Sequence, residues 1–279
     1  MLTGGFSEVN RAQRVAMAQA EFRAALKDWP PDALEAYIAK LYPAYWLKVD
    51  LPHKIEHAKF VRAAEGAGKS LATAIAFDGG AVTALTVLAP DHPWLLAIIA
   101  GACAMAGANI VDAQIYTTTD GRALDTISVS REFDRDEDEE RRANRVADSI
   151  EKALRGELRL PDVVTKRAPP KGRIKAFALE PTVTINNQWS HRYTMVEITG
   201  LDRTGLLYEL TTTLSKLNLN IASAHVATFG ERVVDVFYVT DLLGAQITSP
   251  TRQAAIKRAL IALFATAEAN AKSGKGGAA

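Results

Sequence analysis

Residues 196–210, "VEITGLDRTGLLYEL", read as a strand, a tight polar corner and the start of a helix. The same layout stands 111 residues earlier in "TVLAPDHPWLLAIIA", residues 86–100. Asp91, Leu95, Leu96, Ile99, Asn109, Ile110 and Ala113 recur as Asp202, Leu206, Leu207, Leu210, Asn220, Ile221 and Ala224 at that one offset. Past a second hairpin one residue shorter, Asp125 recurs as Asp235. A repeat of this kind is a domain duplication.

Outward from the corners, each copy has the same order of elements. In the first, "LATAIAF" and "AVTALTVLA" are strand-like runs joined at Asp78-Gly79-Gly80. A helix follows from Pro93 to about Gly107, then the strands "NIVDAQIYTTT" and "RALDTISVSREF" joined at Asp120-Gly121, then a helix over 134–155. The second copy runs through the strands "TVTINN" and "YTMVEITG", a helix from Thr204 to Leu217, a hairpin about Gly230, and a helix from Thr251 to about Ala267. Strand–strand–helix–strand–strand–helix is the ferredoxin-like element set with its usual last strand moved to the front. The expected class is α+β, two ferredoxin-like units of permuted strand order preceded by a helical segment. The expected divisions are a helical connector over 1–69, a first unit over 70–164, a linker over 165–173 that contains Pro169-Pro170, a second unit over 174–268 and a disordered tail over 269–279.

The chain has 279 residues, 48% hydrophobic and 23% charged, which suits about two globular domains. A net charge of +1 gives no electrostatic case for nucleic acid or an anionic membrane. Cys103 is the only cysteine, which excludes an intramolecular disulfide and a thiolate metal cluster. No window reaches the ~18 apolar residues of a spanning helix, and "MLTGGFSEVNR" lacks the regions of a signal peptide. A soluble cytoplasmic protein follows by default. The run "DRDEDEERR" (134–142) reads as a solvated helix face.

"GLDRTGLLYELTTTLSKLNLNIASAHVATFGERVVDVFYV" resembles the second ACT domain of the bifunctional uridylyltransferase/uridylyl-removing enzymes that modify the PII nitrogen-signalling protein. "APDHPWLLAIIAGACAMAGANIVDAQIYTTTDGRALDT" resembles their first ACT domain, and "YPAYWLKVDLPHKIEHAKFVRAAEG" the segment before the pair. The resemblance covers nearly all of residues 35–265. It implies a regulatory C-terminal portion in which glutamine is sensed, and ACT–ACT pairing within or between chains. It also implies PII as a partner of the full-length enzyme and magnesium for that enzyme's catalytic domains. Neither catalytic domain is visible: the chain has no Gly-Ser followed by Asp-x-Asp and no His-Asp dipeptide. A free-standing tandem ACT regulator acting in trans is the alternative.

A helix N-terminus offers unpaired N–H groups and partial positive charge, a seat for a carboxylate. At the second corner, Asp202, Arg203, Thr204, Gly205 and Leu206 stand there, with Gly205 allowing close approach and Asp202 a charge for an α-ammonium. Asn220 and Ile221, opening the next strand, would add hydrogen bonds. Together these suit a zwitterion such as glutamine, which is what the resemblance implies. The structural alternative is that Asp202 caps the turn and Gly205 permits tight packing. In the first copy the matching residues are Asp91, Asn109 and Ile110, but Trp94 replaces Gly205 and would fill or wall the pocket. Thr204 replaces the family's usual proline.

Two motifs point elsewhere. "HKIEH" (53–57) matches the inverted zinc-peptidase pattern, with Glu56 as base and no evident third ligand. "EGAGKS" (65–70) imitates a phosphate loop, but Ala63 stands at its first glycine position.

Overall fold

The computed structural model describes residues 4–77, 80–158, 160, 179–203 and 205–273. Thr204, the Asp78-Gly79 part of the first hairpin, the linker over 165–173 and the end of the tail from 274 lie outside the described residues. Packing divides the chain into two units. The first holds the residues up to Ala74 with Thr86–Asp91 and Tyr116–Asp125. The second holds Ile75–Leu85, His92–Ile115 and the residues from Thr126 onward.

Four helices open the chain: α1 (Gly4–Ala25), α2 (Pro31–Ala39), α3 (Pro43–Lys48) and α4 (Leu51–Gly66). Pro31 opens α2, as proline does at a first helical position, while α1 ends at Ala25, before the proline pair. The aromatic run "YPAYWL" forms α3, a short helix that its proline also opens and that periodicity does not reveal. Asp50 caps α4 by accepting from the His53 N–H at 3.0 Å. These helices build a core of their own around Phe22, Tyr37, Tyr45 and Trp46, which also takes in Leu88, Tyr116 and Leu124. Trp46 stands edge-on to Phe22 with ring centroids 5.2 Å apart.

The duplicated part forms two four-stranded sheets of identical order. The first is β1 (Ala72–Phe77), β2 (Val82–Pro90), β4 (Arg122–Ser130) and β3 (Ile110–Gln114), in that order across the sheet. The second is β5 (Thr182–Asn186), β6 (Thr194–Leu201), β8 (Arg232–Asp241) and β7 (Leu219–Phe229). Each leading strand thus lies at an edge beside the strand that follows it, as the permuted reading requires, with Thr182 opposite Thr199. Each copy has one helix after its corner, α5 (Leu95–Ala106) or α7 (Leu206–Lys216), and one at its end, α6 (Asp136–Leu154) or α8 (Pro250–Ser273). The helix α8 runs past Ala267 because no breaker precedes Gly274.

The repeat extends to backbone detail. Gly107 and Asn218 correspond, and both take positive φ, +77° and +56°, at the ends of α5 and α7. Glycine does this freely and asparagine is among the few side chains that tolerate it. Bulges fall at equivalent places, between Ile110 and Asp112 and between Ile221 and Ser223. Along β8, Val233, Asp235, Phe237 and Val239 are buried while Val234, Val236 and Tyr238 are only partly so, the period-2 signature of one face turned to a core.

The two copies pair within the second unit: α5 packs on α7, and β3 lies beside β7. The helices run antiparallel. Ser215 Oγ donates to the Pro93 carbonyl at 2.8 Å, while a Cβ on Gly101 would come within 2.9 Å of the Tyr208 ring. Close helix approach is what the missing side chain at Gly101 provides.

The charged helix α6 departs from the expectation of a solvated face. Glu139 and Arg142 are buried. Glu139 accepts from Thr83 Oγ1 at 2.9 Å and from the N–H groups of Glu132 and Phe133, both at 3.1 Å. Arg142 pairs with it at 2.8 Å and also donates to the Ser130 carbonyl. Two members of the charge run therefore pin α6 to the sheet.

Candidate functional site

At the second corner the chain leaves β6 at Leu201, passes Asp202 and Arg203, and enters α7 through Gly205. Gly205 has φ +82° and ψ 0°, the left-handed region, and no side chain caps the helix it precedes. Asp202 therefore does not cap α7. Its N–H donates to the Glu231 carbonyl at 2.8 Å, which latches the corner to the β7–β8 hairpin. In the first copy the Asp91 N–H makes the equivalent bond to the Gly121 carbonyl at 3.0 Å. The Asp202 carboxyl is half-buried, and that burial raises its pKa against the opposing pull of the Arg203 N–H and guanidinium.

Arg203 is not free to meet a ligand with its full fork. Its guanidinium pairs with Glu209 on α7, one contact at 2.9 Å, and reaches the Leu263 carbonyl at 3.3 Å. Only its Nε lacks a partner. Leu206 is buried and anchors the first turn of α7 in the core.

Asn220 and Ile221 are not beside this corner, which corrects their grouping with Asp202. Leu201 and Phe229 both stand opposite Arg232 at one end of the sheet. Asn220 stands opposite Thr240, and Thr194 opposite Val239, at the other end. About eight residues of strand at 3.3 Å each separate the two, roughly 25 Å. The helix between them carries the chain the full length of the sheet, so adjacency in a repeated motif did not mean adjacency in space.

Pairing of the copies supplies a different neighbour. Residues 93 and 101 of α5 and its lead-in meet residues 215 and 208 of α7. Continued along the antiparallel helices, that alignment sets the C-terminal turn of α5, ending at Gly107, alongside Gly205. Asn109 and Ile110 of the first copy follow directly. Ile110 is buried opposite Val129, and the Asn109 carbonyl accepts from the Ser130 N–H at 2.9 Å. The second corner thus belongs with Asn109 and Ile110, and the Pro93–Trp94 lead-in of α5 with the α7 end that precedes Asn220.

The first corner is built differently. Trp94 precedes α5 at φ −98° and is 40% exposed, where Gly205 takes the opposite sign. Asp91 already accepts from Thr117 Oγ1 at 2.9 Å.

A residue absent from the motif reading stands behind each corner. Asp125 and Asp235 are buried on β4 and β8, and burial pushes both carboxyl pKa values up, Asp235 to about 7, with the charge of Asp91 or Asp202 adding to it. Their recurrence in the sequence was the available signal; their burial was not visible there.

The "HKIEH" histidines go to separate partners. His53 Nδ1 lies 2.7 Å from Asp50 Oδ1, while buried His57 Nδ1 lies 3.1 Å from the Tyr45 hydroxyl. Burial first, then His53, lowers the His57 pKa to about 4. No group of three or more His, Cys, Asp or Glu among the described residues is placed to hold a metal ion. No helix among them is long and apolar enough to cross a membrane.

Residues 194–255 match the ACT domain family. Along 98% of its length the chain is 69% identical to the bifunctional uridylyltransferase/uridylyl-removing enzyme of Rhodopseudomonas palustris, and along 95% it is 70% identical to that of Nitrobacter winogradskyi. It spans only 30% and 29% of the length of those two relatives. A crystal structure of an unknown protein from Galdieria sulphuraria aligns with 57% of this chain and 79% of its own at 14% identity, with a TM-score of 0.22. The chain is thus similar throughout to a segment of the uridylyltransferase/uridylyl-removing enzymes, a segment that carries the ACT fold.

Proposed function

We propose that this chain is the glutamine-sensing regulatory region of a bifunctional uridylyltransferase/uridylyl-removing enzyme, acting on the PII signalling protein through that enzyme's catalytic domains. The observation that carries the reading is 69% identity to such an enzyme over both repeats and the helices before them. The corner geometry supports an amino acid as the ligand. The uncapped N-terminus of α7 suits the α-carboxylate, Gly205 leaves the backbone open to it, and Asp202 suits the ammonium. Asn109 and Ile110, brought in from the first copy, suit the side-chain amide. The site is then shared by both repeats, which gives ligand binding a means of tightening one against the other.

Titration calorimetry with glutamine and glutamate tests this. Glutamine should bind and glutamate bind more weakly. Asp202→Ala should weaken glutamine by roughly 1.5–3 kcal/mol, the range for hydrogen bonds to charged groups, or about ten- to hundredfold. Unchanged affinity in Asp202→Ala makes the corner a structural turn.

A further inference from the structure

The second repeat is elaborated at the end of its sheet opposite the corner. There the loop between β5 and β6 spans 187–193, where the first repeat has only 78–81. The loop after β8 spans 242–249, against 131–135 after β4. The two lengthened loops are fastened to each other. The Gln246 amide donates to the Ser190 carbonyl at 2.8 Å and to the Tyr193 carbonyl at 3.0 Å, and Asn187 Nδ2 donates to the Ile247 carbonyl at 3.0 Å. Thr194 Oγ1 donates to Asn187 Oδ1 at 2.7 Å and accepts from the Ile247 N–H at 2.8 Å. Asp241 Oδ1 accepts from the Leu243 and Ala245 N–H groups, which shapes the turn between them.

This well-satisfied platform holds large apolar side chains out in solvent: Trp189 is 72% exposed, Leu242 57% and Leu243 94%. Clustered exposed apolar groups on a rigid support, with an aromatic among them, have the composition of an interface. Its charge has one sign. His191 and Arg192 are exposed and meet no carboxylate among the described residues, with the Arg192 guanidinium over the Tyr193 ring at 5.4 Å. The single carboxylate of the two loops, on Asp241, is taken up by its turn. The platform therefore fits a counterpart that is both apolar and acidic.

The first repeat carries such a counterpart at its matching end. An open cavity of about 520 Å³ is walled there by Ala81, Arg131, Phe133, Asp134 and Asp136. Phe133 is 39% exposed and stands at the repeat position of Leu243. Arg131 is neutralised by Asp136. Asp134, Glu137 and Glu140 are exposed with no cationic partner among the described residues, and they outnumber the exposed Arg135. Antiparallel packing of α5 on α7 points the two ends in opposite directions, so they cannot meet within one chain. Two chains laid antiparallel bring each basic end onto the other's acidic end, a closed two-fold arrangement that makes the contact twice. We propose that these ends are the two halves of a self-association interface: the Trp189–Leu243 platform of one copy seats in the Phe133 cavity of a second copy, and Arg192 faces Asp134 and Glu137.

Sedimentation velocity on the full chain, from micromolar to sub-millimolar concentration and at low and high salt, tests this. The wild type should dimerise, and more weakly at high salt. Trp189→Ala, Arg192→Glu and Asp134→Arg should each weaken association at least about tenfold. An equimolar mixture of the Arg192→Glu and Asp134→Arg chains should regain it, because each altered end then meets its complement. Damage to the fold would not be repaired by mixing. A chain that stays monomeric throughout, a dimer untouched by all three changes, or a mixture that fails to recover overturns the proposal. A monomer that instead binds vesicles of anionic lipid, and loses that binding in Trp189→Ala, assigns the platform to a membrane surface and overturns it equally.

Discussion

Gly205 holds φ at +82°, where a side chain costs about 1–2 kcal/mol, while Trp94 takes its place in the other copy at φ −98°. The two corners are therefore not interchangeable, and a tryptophan at 205 would meet backbone strain that position 94 never imposes. Gly205→Ala should lower stability to denaturant by about 1–2 kcal/mol; no loss would place the residue in an ordinary conformation. Asp125 and Asp235 make a second prediction at this scale. Their native carboxyls hold protons at pH values where the unfolded carboxyls have lost them. Stability should therefore fall as pH rises from about 4 to about 7, by a few kcal/mol at most. Thermal melts across that window should show the fall, and Asp235→Asn should flatten it. The corner residues were legible in the sequence because Asp and Gly at a strand–helix junction have few other uses. Asp235 was legible only as a repeat, since a lone Asp within a strand carries no mark of its burial.

At the scale of elements, hydrophobic periodicity located the strands and helices of both copies. It missed α3, which is too short to show a period and is held by the packing of Tyr45 and Trp46. The charge run of α6 misled for the same reason that it is useful. Its outer residues are solvated, but Glu139 and Arg142 reach inward and satisfy Thr83, Ser130 and the N–H groups of Glu132 and Phe133. Glu139→Ala would leave Arg142 with Glu132 alone of its two carboxylate partners and would strand the Thr83 hydroxyl and the N–H groups of Glu132 and Phe133, a loss of about 1–3 kcal/mol in urea unfolding. Desolvation works to raise the Glu139 pKa, yet its hydrogen bonds and Arg142 hold it below the ordinary glutamate value. The stability it contributes is full above that ordinary value and is lost as pH falls through the lowered one. The alanine variant should therefore differ most from the wild type near neutrality, with the gap narrowing in acid.

Across the whole molecule, the duplication was legible and the pairing of its copies was not. One repeat offset is enough to show that a unit recurs. It says nothing of which end of one unit meets which end of the other, and that is how Asn220 came to be grouped with Asp202. Helix α7 carries the chain from the corner to the far end of the sheet, and antiparallel packing of α5 on α7 returns Asn109 and Ile110 to the corner in its stead. The central claim is that glutamine sits between the repeats at the second corner. Amide chemical-shift mapping of the isotopically labelled chain during a glutamine titration tests it most directly. Perturbations should concentrate at residues 202–208 and, from the other repeat, at 107–110, with residues 218–221 unmoved. Perturbations at 218–221 with none at 107–110, or no perturbation at all, would contradict it.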